Sequence, residues 1–377
     1  MDTQYTNRLA KIETVLDKWL PEKPDAAWLE MTFDRSSSGG SGGAFIAHEV
    51  FVAPELAATL TRPGWDLVKR GGKRWRPLLM LLTAESVAGG RGAEAALPLT
   101  PLIEFPHNAS LIHDDIEDNS DERRGKPAVH LIYGIDAALN GGSFMYFLPL
   151  ACLDKWAKER ANSISPVVKE RIWTAWTSHM MGLHLGQAMD IAWHRDYQAL
   201  PLLEEYDRMC RLKTGYLARL AAVLGVFCAG GDDIESAQLN SLAGDFAAAA
   251  EQLGVGFQIL DDVKNLRSGN PGKKRGDDIV EGKKSLPVLL YLHRYPEKRD
   301  FAARCFAAAR SLGTGAPEVE ELIGALEGAG VLEEAAEKGL EYIQKSKAVF
   351  SAPVLSGLTL RKEGQELLSG FIDLLKG

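Results

Sequence analysis

Apolar residues recur at every third or fourth position along most of this chain, which is the spacing of the buried face of an amphipathic helix. The pattern runs through long segments rich in Ala, Leu, Glu and Lys, which are strong helix formers. It predicts helices over residues 77–88, 167–192, 204–229, 233–266 and 332–349. Gly-, Pro- and Asp-rich breaks separate these segments, and we find no series of alternating apolar and polar strands. The pattern therefore predicts an all-α fold.

The N-terminal segment follows the same helical spacing, at Leu9, Ile12, Leu16 and Leu20. Charged residues interrupt this stretch, so we predict a helical arm over residues 1–35 rather than a signal peptide. Residues 36–43 read SSSGGSGG and predict a flexible surface loop. No comparable linker divides residues 44–377. We therefore predict one domain spanning residues 1–377, with the arm and loop attached to it.

Composition narrows the class of protein. The chain has 377 residues, is 46% hydrophobic and carries a formal net charge of −8. An acidic protein is a poor general binder of nucleic acid, and no uncharged apolar run is long enough to predict a transmembrane segment. The four cysteines lie far apart, without a CxxC motif, which favours a reduced, cytoplasmic protein over a zinc site or a disulfide framework.

A first acidic cluster, DDIED, occupies residues 114–118 at the end of an apolar segment. Asp114 and Asp118 are four residues apart and share one face of a helix, where two carboxylates repel each other unless a cation binds them. Oxygen ligands without a nearby cysteine suit Mg²⁺, which combines one or two carboxylates with phosphate oxygens. Asp115 lies off that face and suits a supporting role. The alternative is a solvated acidic helix end.

A second pair, Asp261 and Asp262, ends another apolar helical segment, and Asn265 follows four residues after Asp261. If the two clusters face each other, they can hold a phosphate-bearing ligand through several metal ions. Cationic or polar groups suited to the anion occur at Lys73, Arg76, Arg123, Arg124, Lys213, Thr214 and Lys283. Each of these alone is typical of a solvated surface, but their combination with two acid pairs favours a bound phosphate.

Seven motifs together resemble those of the trans-isoprenyl diphosphate synthases. In order, they are GGKRWRP (71–77), HNASLIHDDIED (107–118), RRGKPAVH (123–130), GQAMDI (186–191), KTG (213–215), GVGFQILDDVKN (254–265) and GDDIVEGKKSLP (276–287). The resemblance covers residues 71–287 and implies an all-α bundle around a deep cavity, usually in a homodimer. One departure is Asn265, where many members carry a third aspartate; an amide still offers an oxygen, but no charge.

The resemblance also implies roles for individual residues. It implies Asp114, Asp118 and Asp261 as ligands of Mg²⁺, with three ions per site, and places Asp115, Asp262 and Lys213 in the catalytic set. The implied contacts to the allylic diphosphate are Arg123, Lys213, Thr214, Gln258 and Lys283. The implied pocket for isopentenyl diphosphate consists of Lys73, Arg76, His107 and Arg124. Gln187 and Asp190 match a polar pair that lines the cavity.

The implied activity is head-to-tail prenyl transfer. The allylic diphosphate ionises with the help of Mg²⁺, the double bond of isopentenyl diphosphate attacks the cation, and a proton is eliminated. Ala109 and Ser110 are small where some members carry an aromatic residue that blocks the growing chain. We therefore expect a product of C20 to C25, with Phe144 and Phe147 as candidates for the floor of the cavity.

Three alternatives remain open at the sequence level. A class I terpene cyclase shares the helical fold and the first acidic motif, although residues 261–269 do not have the spacing of its second metal motif. A metal-dependent phosphohydrolase would use His113 and Asp114 but leaves the second acid pair unexplained. A catalytically silent subunit of a prenyl synthase usually lacks one acidic cluster, whereas this chain has both.

Overall fold

The computed structural model describes residues 3–33, 53–160, 165–230, 234–269 and 274–375. The predicted loop at residues 36–43 lies outside these described residues. The chain divides into two compact units, the first from residues 1–81 and 93–170 and the second from residues 82–92 and 171–377. Whether the whole chain acts as one domain stays a prediction.

The first unit begins with two arm helices and contains one short hairpin among further helices. Its elements are α1 (Thr3–Trp19), α2 (Ala26–Phe33), α3 (Pro54–Lys69), the start of α4 (Trp75–Ala88), the end of α5 (Gly90–Ala96), a 3₁₀ turn (Leu97–Leu99), α6 (Pro101–Glu117), β1 (Glu122–Arg123), β2 (Lys126–Pro127), α7 (Val129–Tyr133), α8 (Ile135–Glu159) and the start of α9 (Pro166–Arg195). The two strands pair antiparallel, with Glu122 opposite Pro127.

The second unit continues from α9 through a second set of helices. Its further elements are α10 (Leu203–Cys210), a π-helical turn (Arg211–Gly215), α11 (Tyr216–Gly230), α12 (Ser236–Ser268), α13 (Asp277–Glu281), α14 (Leu286–Arg294), 3₁₀ turns (Pro296–Lys298 and Gly313–Gly315), α15 (Arg299–Leu312), α16 (Pro317–Gly328), α17 (Val331–Phe350), β3 (Val354–Leu355), β4 (Leu358–Thr359) and α18 (Lys362–Leu375). The core of this unit includes apolar residues of α12, α14, α15, α16 and α17.

The all-α prediction is confirmed, and the five predicted helices match α4, α9, α10 with α11, α12 and α17. Among the described residues, strands are limited to the two short hairpins. One described stretch, Leu203–Gly230, is long and apolar enough to cross a membrane, but 72% of its most apolar window is buried inside the protein. That burial is typical of a helix in a protein core.

The arm packs onto the rest of the first unit through its apolar residues. Ile12 and Leu16 of α1 are fully buried. The indole Nε1 of Trp28 donates a hydrogen bond to the carbonyl oxygen of Trp19 at 2.9 Å, which ties α2 to α1. The ring of Phe33 stacks on Phe144 of α8 with centroids 6.2 Å apart. The arm is therefore anchored at both of its helices.

Candidate active site

The first acidic motif lies at the C-terminal end of α6, most of whose apolar residues are buried. The helix ends at Glu117, and the backbone N–H of Asp118 still donates to the carbonyl oxygen of Asp114 at 2.9 Å. The chain therefore continues its helical path to Asp118. This keeps Asp114 and Asp118 four residues apart along one helical path, as the sequence predicts.

Asp115 has a different environment from Asp114. Its side chain is fully buried, and its Oδ1 accepts a hydrogen bond from Arg123 Nε at 2.8 Å and a second from Nη2. The same Nη2 lies 3.8 Å from Oδ2 of Asp114, which stays partly exposed. A buried carboxylate paired in this way holds a guanidinium in place. Asp115 therefore positions Arg123 beside the first acidic motif.

Two consecutive arginines of the hairpin have side chains in different environments. Arg124 and Gly125 form its two-residue turn, both with positive φ, at 53° and 74°, as in a type I′ turn. Arg70, the C-cap residue of α3, donates to the carbonyl oxygens of Arg123 and Pro127 and fixes the hairpin to the end of the helix. Arg123 consequently reaches the acidic motif, while Arg124 reaches a separate basic pocket.

The basic pocket is built around the half-buried guanidinium of Arg124. Its Nη1 donates to the carbonyl oxygens of Leu67 and Gly71 and to Oδ1 of Asn108. Burial lowers the pKa of Arg124 to about 10, against the opposing effect of Glu104. A buried cation in a group of arginines is stabilised by a bound anion. Gly72 has φ 139°, and a Cβ there would lie 3.2 Å from Arg124 Nη2.

His107 joins this pocket in its neutral form. Its Nε2 lies 3.4 Å from Nη1 of Arg76. Burial and the neighbouring guanidinium groups, first of all that of Arg76 and then Arg124, hold the pKa of His107 well below its ordinary value. A neutral imidazole adds no further positive charge to the group. Lys73, the fourth residue predicted here, precedes α4 and has an exposed side chain.

Sequence reasoning missed three residues that hold the basic pocket together. Arg74 has an unusual φ of 47° and a buried side chain, and its Nη1 lies 3.0 Å from Oε1 of Glu104. The same Oε1 accepts from Nδ2 of Asn108 at 2.9 Å. The available signal was the pair of polar residues Glu104 and Asn108, four positions apart within an otherwise apolar helix. Buried polar groups of this kind need partners.

The second acidic motif, on α12, also combines a buried aspartate with a more accessible one. Asp262 is buried, and its two oxygens accept from Nε2 of Gln258 at 2.7 Å and from the hydroxyl of Tyr206 at 3.2 Å. Burial, together with the nearby Asp278, raises its pKa well above the ordinary value. Asp261 is exposed. In both motifs, one aspartate is anchored inside the protein and its neighbour is more accessible. Tyr206 is a further residue that sequence reasoning missed.

The π-helical turn orients the KTG motif. The ammonium nitrogen of Lys213 lies 2.5 Å from Oδ2 of Asp190 on α9, and the hydroxyl of Thr214 donates to Oε1 of Gln258 at 2.7 Å. A Cβ on Gly186 would lie 2.4 Å from the backbone nitrogen of Lys213. Glycine at this position therefore permits the close approach of α9. Gln187, the other residue predicted on this face, is half-buried.

Asn265 and Lys283 have partners within the second unit. Oδ1 of Asn265 accepts from the backbone N–H of Asp278 at 3.2 Å, and its Nδ2 donates to the carbonyl oxygen of Lys274 at 3.3 Å. The amide thus holds the segment that leads into α13. Lys283 forms an ion pair with Glu281 and lies 3.7 Å from Oδ1 of Asp278.

The residues predicted to control chain length lie on α6 and α8. Ala109 is fully buried, whereas Ser110 is half-buried and donates from its hydroxyl to the carbonyl oxygen of His107 at 2.8 Å. Phe144 packs against Trp28 and Phe33 of the arm. Phe147 is 67% exposed, so the first unit gives no support for a role of Phe147 at a buried floor.

The donor set fits Mg²⁺ that is bound together with a ligand. In the part of the chain that the structure describes, no group of three or more His, Cys, Asp or Glu side chains is arranged to hold a metal alone. Mg²⁺ commonly takes one or two carboxylates and completes its shell with water and phosphate oxygens. Asp114 and Asp118 supply carboxylates of that kind.

Comparisons with proteins of known sequence show which proteins this chain is similar to. The geranylfarnesyl diphosphate synthase of Aeropyrum pernix is 30% identical over 313 residues, which cover 82% of this chain and 91% of that protein. The geranylgeranyl pyrophosphate synthase of Penicillium janthinellum is 38% identical over 198 residues, 52% of this chain. That match spans 48% of the Penicillium protein, so the chain aligns with about half the length of this relative.

Solved structures share the fold. The geranylgeranyl pyrophosphate synthetase of Pyrococcus horikoshii superposes with a TM-score of 0.73 at 24% identity, over 99% of this chain and 98% of that one. The geranylgeranyl pyrophosphate synthase of Corynebacterium glutamicum, solved with isoprenyl diphosphate and magnesium, also gives 0.73 at 24% identity, over 97% of this chain and 98% of that one. Residues 57–321 match the polyprenyl synthetase family, and the chain therefore belongs to that family.

Proposed function

We propose that this protein is a prenyltransferase that condenses isopentenyl diphosphate with an allylic diphosphate to give a trans-polyprenyl diphosphate. The observation that carries the proposal is the hairpin at residues 122–127. It holds Arg123 at a carboxylate motif suited to a metal-bound diphosphate and Arg124 in a basic pocket built around arginines. Head-to-tail condensation needs these two kinds of diphosphate site.

Each site has its own binding groups. The allylic diphosphate is bound by Arg123, Lys213, Thr214, Gln258 and Lys283, with Asp115 and Asp262 as buried anchors. Isopentenyl diphosphate is bound by Lys73, Arg76, His107 and Arg124. Because His107 stays neutral, it can accept or donate a hydrogen bond there without changing the charge of the pocket. Asp190 orients Lys213 on the allylic side, and Gln187 lines the path of the chain.

Mg²⁺ is the proposed cofactor, with three ions per site held by Asp114, Asp118 and Asp261 together with diphosphate oxygens. When bound, it would stabilise the charge that develops on the departing diphosphate. The magnesium in the Corynebacterium glutamicum structure supports this choice. The guanidinium of Arg123 adds positive charge on the same side of the substrate.

The proposed product contains 20 to 25 carbon atoms. Relatives named as geranylgeranyl and geranylfarnesyl diphosphate synthases support this range. The small side chains of Ala109 and Ser110, five and four residues before Asp114, leave room for a growing chain in this part of α6. We also propose that the protein is cytoplasmic. Its four cysteines are free and buried, which fits a reducing compartment.

We propose that the protein forms a homodimer. Ile135, Leu139 and Phe147 lie at multiples of four residues along α8 and are 59%, 49% and 67% exposed. A row of large apolar side chains along one face of a helix is typical of an interaction surface. A second copy of this chain is the partner that we propose for it.

The activity can be tested with purified protein, Mg²⁺, labelled isopentenyl diphosphate and, separately, the C5, C10, C15 and C20 allylic diphosphates. We expect label in a chain that stops at C20 to C25. Asp118→Asn should abolish incorporation, whereas Asp121→Asn, an exposed aspartate three residues away, should retain it. Folded protein that incorporates no label from any primer would refute the proposal. Consumption of an allylic primer alone would indicate a cyclase instead.

A further inference from the structure

The N-terminal arm reaches the basic pocket through one carboxylate. Glu13 of α1 lies between the buried Ile12 and the exposed Thr14. Its Oε1 accepts a hydrogen bond from Nε of Arg74 at 2.6 Å, and this pair joins residues 61 positions apart. The Arg74 side chain is 3% exposed, and that of Glu13 is 36% exposed. The contact is therefore a charged hydrogen bond at the edge of the protein interior, where pairing matters more than at an open surface.

Arg74 makes its contacts entirely within the protein. Besides Nε to Glu13, Nη1 donates to Oε1 of Glu104 at 3.0 Å and to the carbonyl oxygen of Gly71 at 3.2 Å, and Nη2 donates to the carbonyl oxygen of Val68. These four bonds use most of the five N–H groups of a guanidinium. Arg74 therefore acts as a structural bridge and does not compete with Arg76 and Arg124 for a ligand.

Two links run from Arg74 to Arg124. The first link is the carbonyl oxygen of Gly71, which accepts a hydrogen bond from each of the two guanidinium groups. Glu104 accepts from Arg74 and from Asn108, and Oδ1 of Asn108 in turn accepts from Arg124 at 3.1 Å. A shift of Arg74 would therefore move the acceptors that orient Arg124.

We propose that Glu13 is a positioning residue for the isopentenyl diphosphate pocket and that it acts through Arg74 on Arg124. This inference rests on the proposed function. If the inference is right, the N-terminal arm contributes to the binding of isopentenyl diphosphate. Removal of the Glu13 carboxylate would have two opposing effects. The loss of its negative charge would by itself favour an anion nearby. The loss of its hydrogen bond to Arg74 would loosen the groups that bind the anion.

The test compares Glu13→Gln with Asp17→Asn. Asp17 lies one turn later on the same helix and pairs with Lys69 at 2.5 Å, with both side chains more than a third exposed. Each variant removes one negative charge from α1, but only Glu13 contacts the pocket network. We would measure the KM of both substrates, the binding of isopentenyl diphosphate by calorimetry without Mg²⁺, and the melting temperature.

For Glu13→Gln we expect at least a fivefold rise in the KM and Kd for isopentenyl diphosphate, with the KM for the allylic substrate within twofold of wild type. Asp17→Asn should stay within twofold of wild type for both substrates. Unchanged or tighter binding by Glu13→Gln would overturn the inference. So would equal losses for both substrates that track the melting temperature, because they would indicate a purely structural arm. If folded wild-type protein shows no incorporation, the proposed function itself fails and this inference fails with it.

Discussion

The ammonium nitrogen of Lys213 lies 2.5 Å from the carboxylate of Asp190, which joins the π-helical turn to α9. The two residues come from separate motifs, 23 positions apart. The ion pair is largely buried, so it holds the long lysine side chain in one orientation before any ligand arrives. The two motifs therefore meet at this ion pair.

We expect Lys213→Ala to lower kcat about a hundredfold, because it removes the cation that we propose as a stabiliser of the departing diphosphate. Asp190→Asn keeps the cation but weakens its orientation, so a fall of about tenfold is expected. Steady-state kinetics with the preferred allylic primer measures both. Lys338→Ala is the matched control, since Lys338 pairs with Glu334 on an exposed surface. Comparable losses for Lys338→Ala would contradict the assignment.

Product length should respond to bulk at residues 109 and 110. Phenylalanine at Ala109 should shorten the product towards C15, and phenylalanine at Ser110 should do the same with a smaller loss of stability. The difference arises because Ala109 is fully buried whereas Ser110 is half-buried, and overpacking a buried site costs about 1 to 3 kcal/mol. Chromatography of the labelled products and thermal unfolding test the two statements separately. Unchanged chain length in both variants would remove these positions from the cavity.

The neutral state of His107 predicts a dependence of stability on pH. Its pKa in the folded protein lies well below the ordinary value of 6.5. As the pH falls below 6.5, the unfolded chain therefore binds a proton that the folded protein does not. The free energy of unfolding should then fall by up to about 1.4 kcal/mol per pH unit from this residue.

Urea unfolding of wild type and His107→Gln between pH 7.5 and pH 5 isolates that contribution. Other buried histidines act on both proteins alike, including His179, whose pKa burial lowers to about 4. The loss of stability on acidification should be smaller in the variant. Equal losses in the two proteins would show that His107 titrates normally.

Lys284 is a buried cation whose replacement should stabilise the protein. It is 2% exposed, its Nζ donates to the carbonyl oxygen of Gly282 at 3.1 Å, and it lies 4.3 Å from the centre of the Phe306 ring. Burial lowers the pKa of Lys284 to about 8. The unfolded chain keeps this proton up to about pH 10.4. The free energy of unfolding should therefore rise with pH between about 8 and 10.4.

Lys284→Met should raise the free energy of unfolding at pH 7 by about 1 to 3 kcal/mol. The lowered pKa of Lys284 corresponds to a cost of about 3 kcal/mol, from which the lost contacts of the ammonium group must be subtracted. The gain should shrink as the pH approaches 10. Chemical unfolding at pH 7 and pH 10 measures both values, and Lys298→Met, at an exposed lysine, should change neither. A destabilised variant at pH 7 would mean that the contacts of the ammonium group exceed the cost of its burial.

Polar substitutions in the exposed apolar row on α8 should weaken the proposed dimer. Phe147→Ser combined with Leu139→Ser should shift the protein from dimer to monomer in light scattering at micromolar concentration. Leu374→Ser is the control, since Leu374 is 49% exposed at the far end of the chain. A wild-type monomer, or a double variant that stays dimeric, would contradict the proposed interface.

The sequence by itself determined the helices and the spacing of the acidic residues within them. Helical periodicity depends on residues within four positions of one another, so α12 and α17 could be predicted to within a few residues. The common helical path of Asp114 and Asp118 follows from the same local geometry. The family motifs likewise indicated most of the residues that we propose for the two diphosphate sites.

Only the tertiary structure decided how the charges pair. The sequence could not show that Arg123 meets Asp115 while Arg124 meets Asn108, because that division depends on a hairpin held by Arg70. Nor could it connect Glu13 with Arg74. Each of these side chains has several possible partners of opposite charge, and the choice among them depends on which helices pack together. Packing is a property of the whole fold, whereas helix formation is largely settled by neighbouring residues.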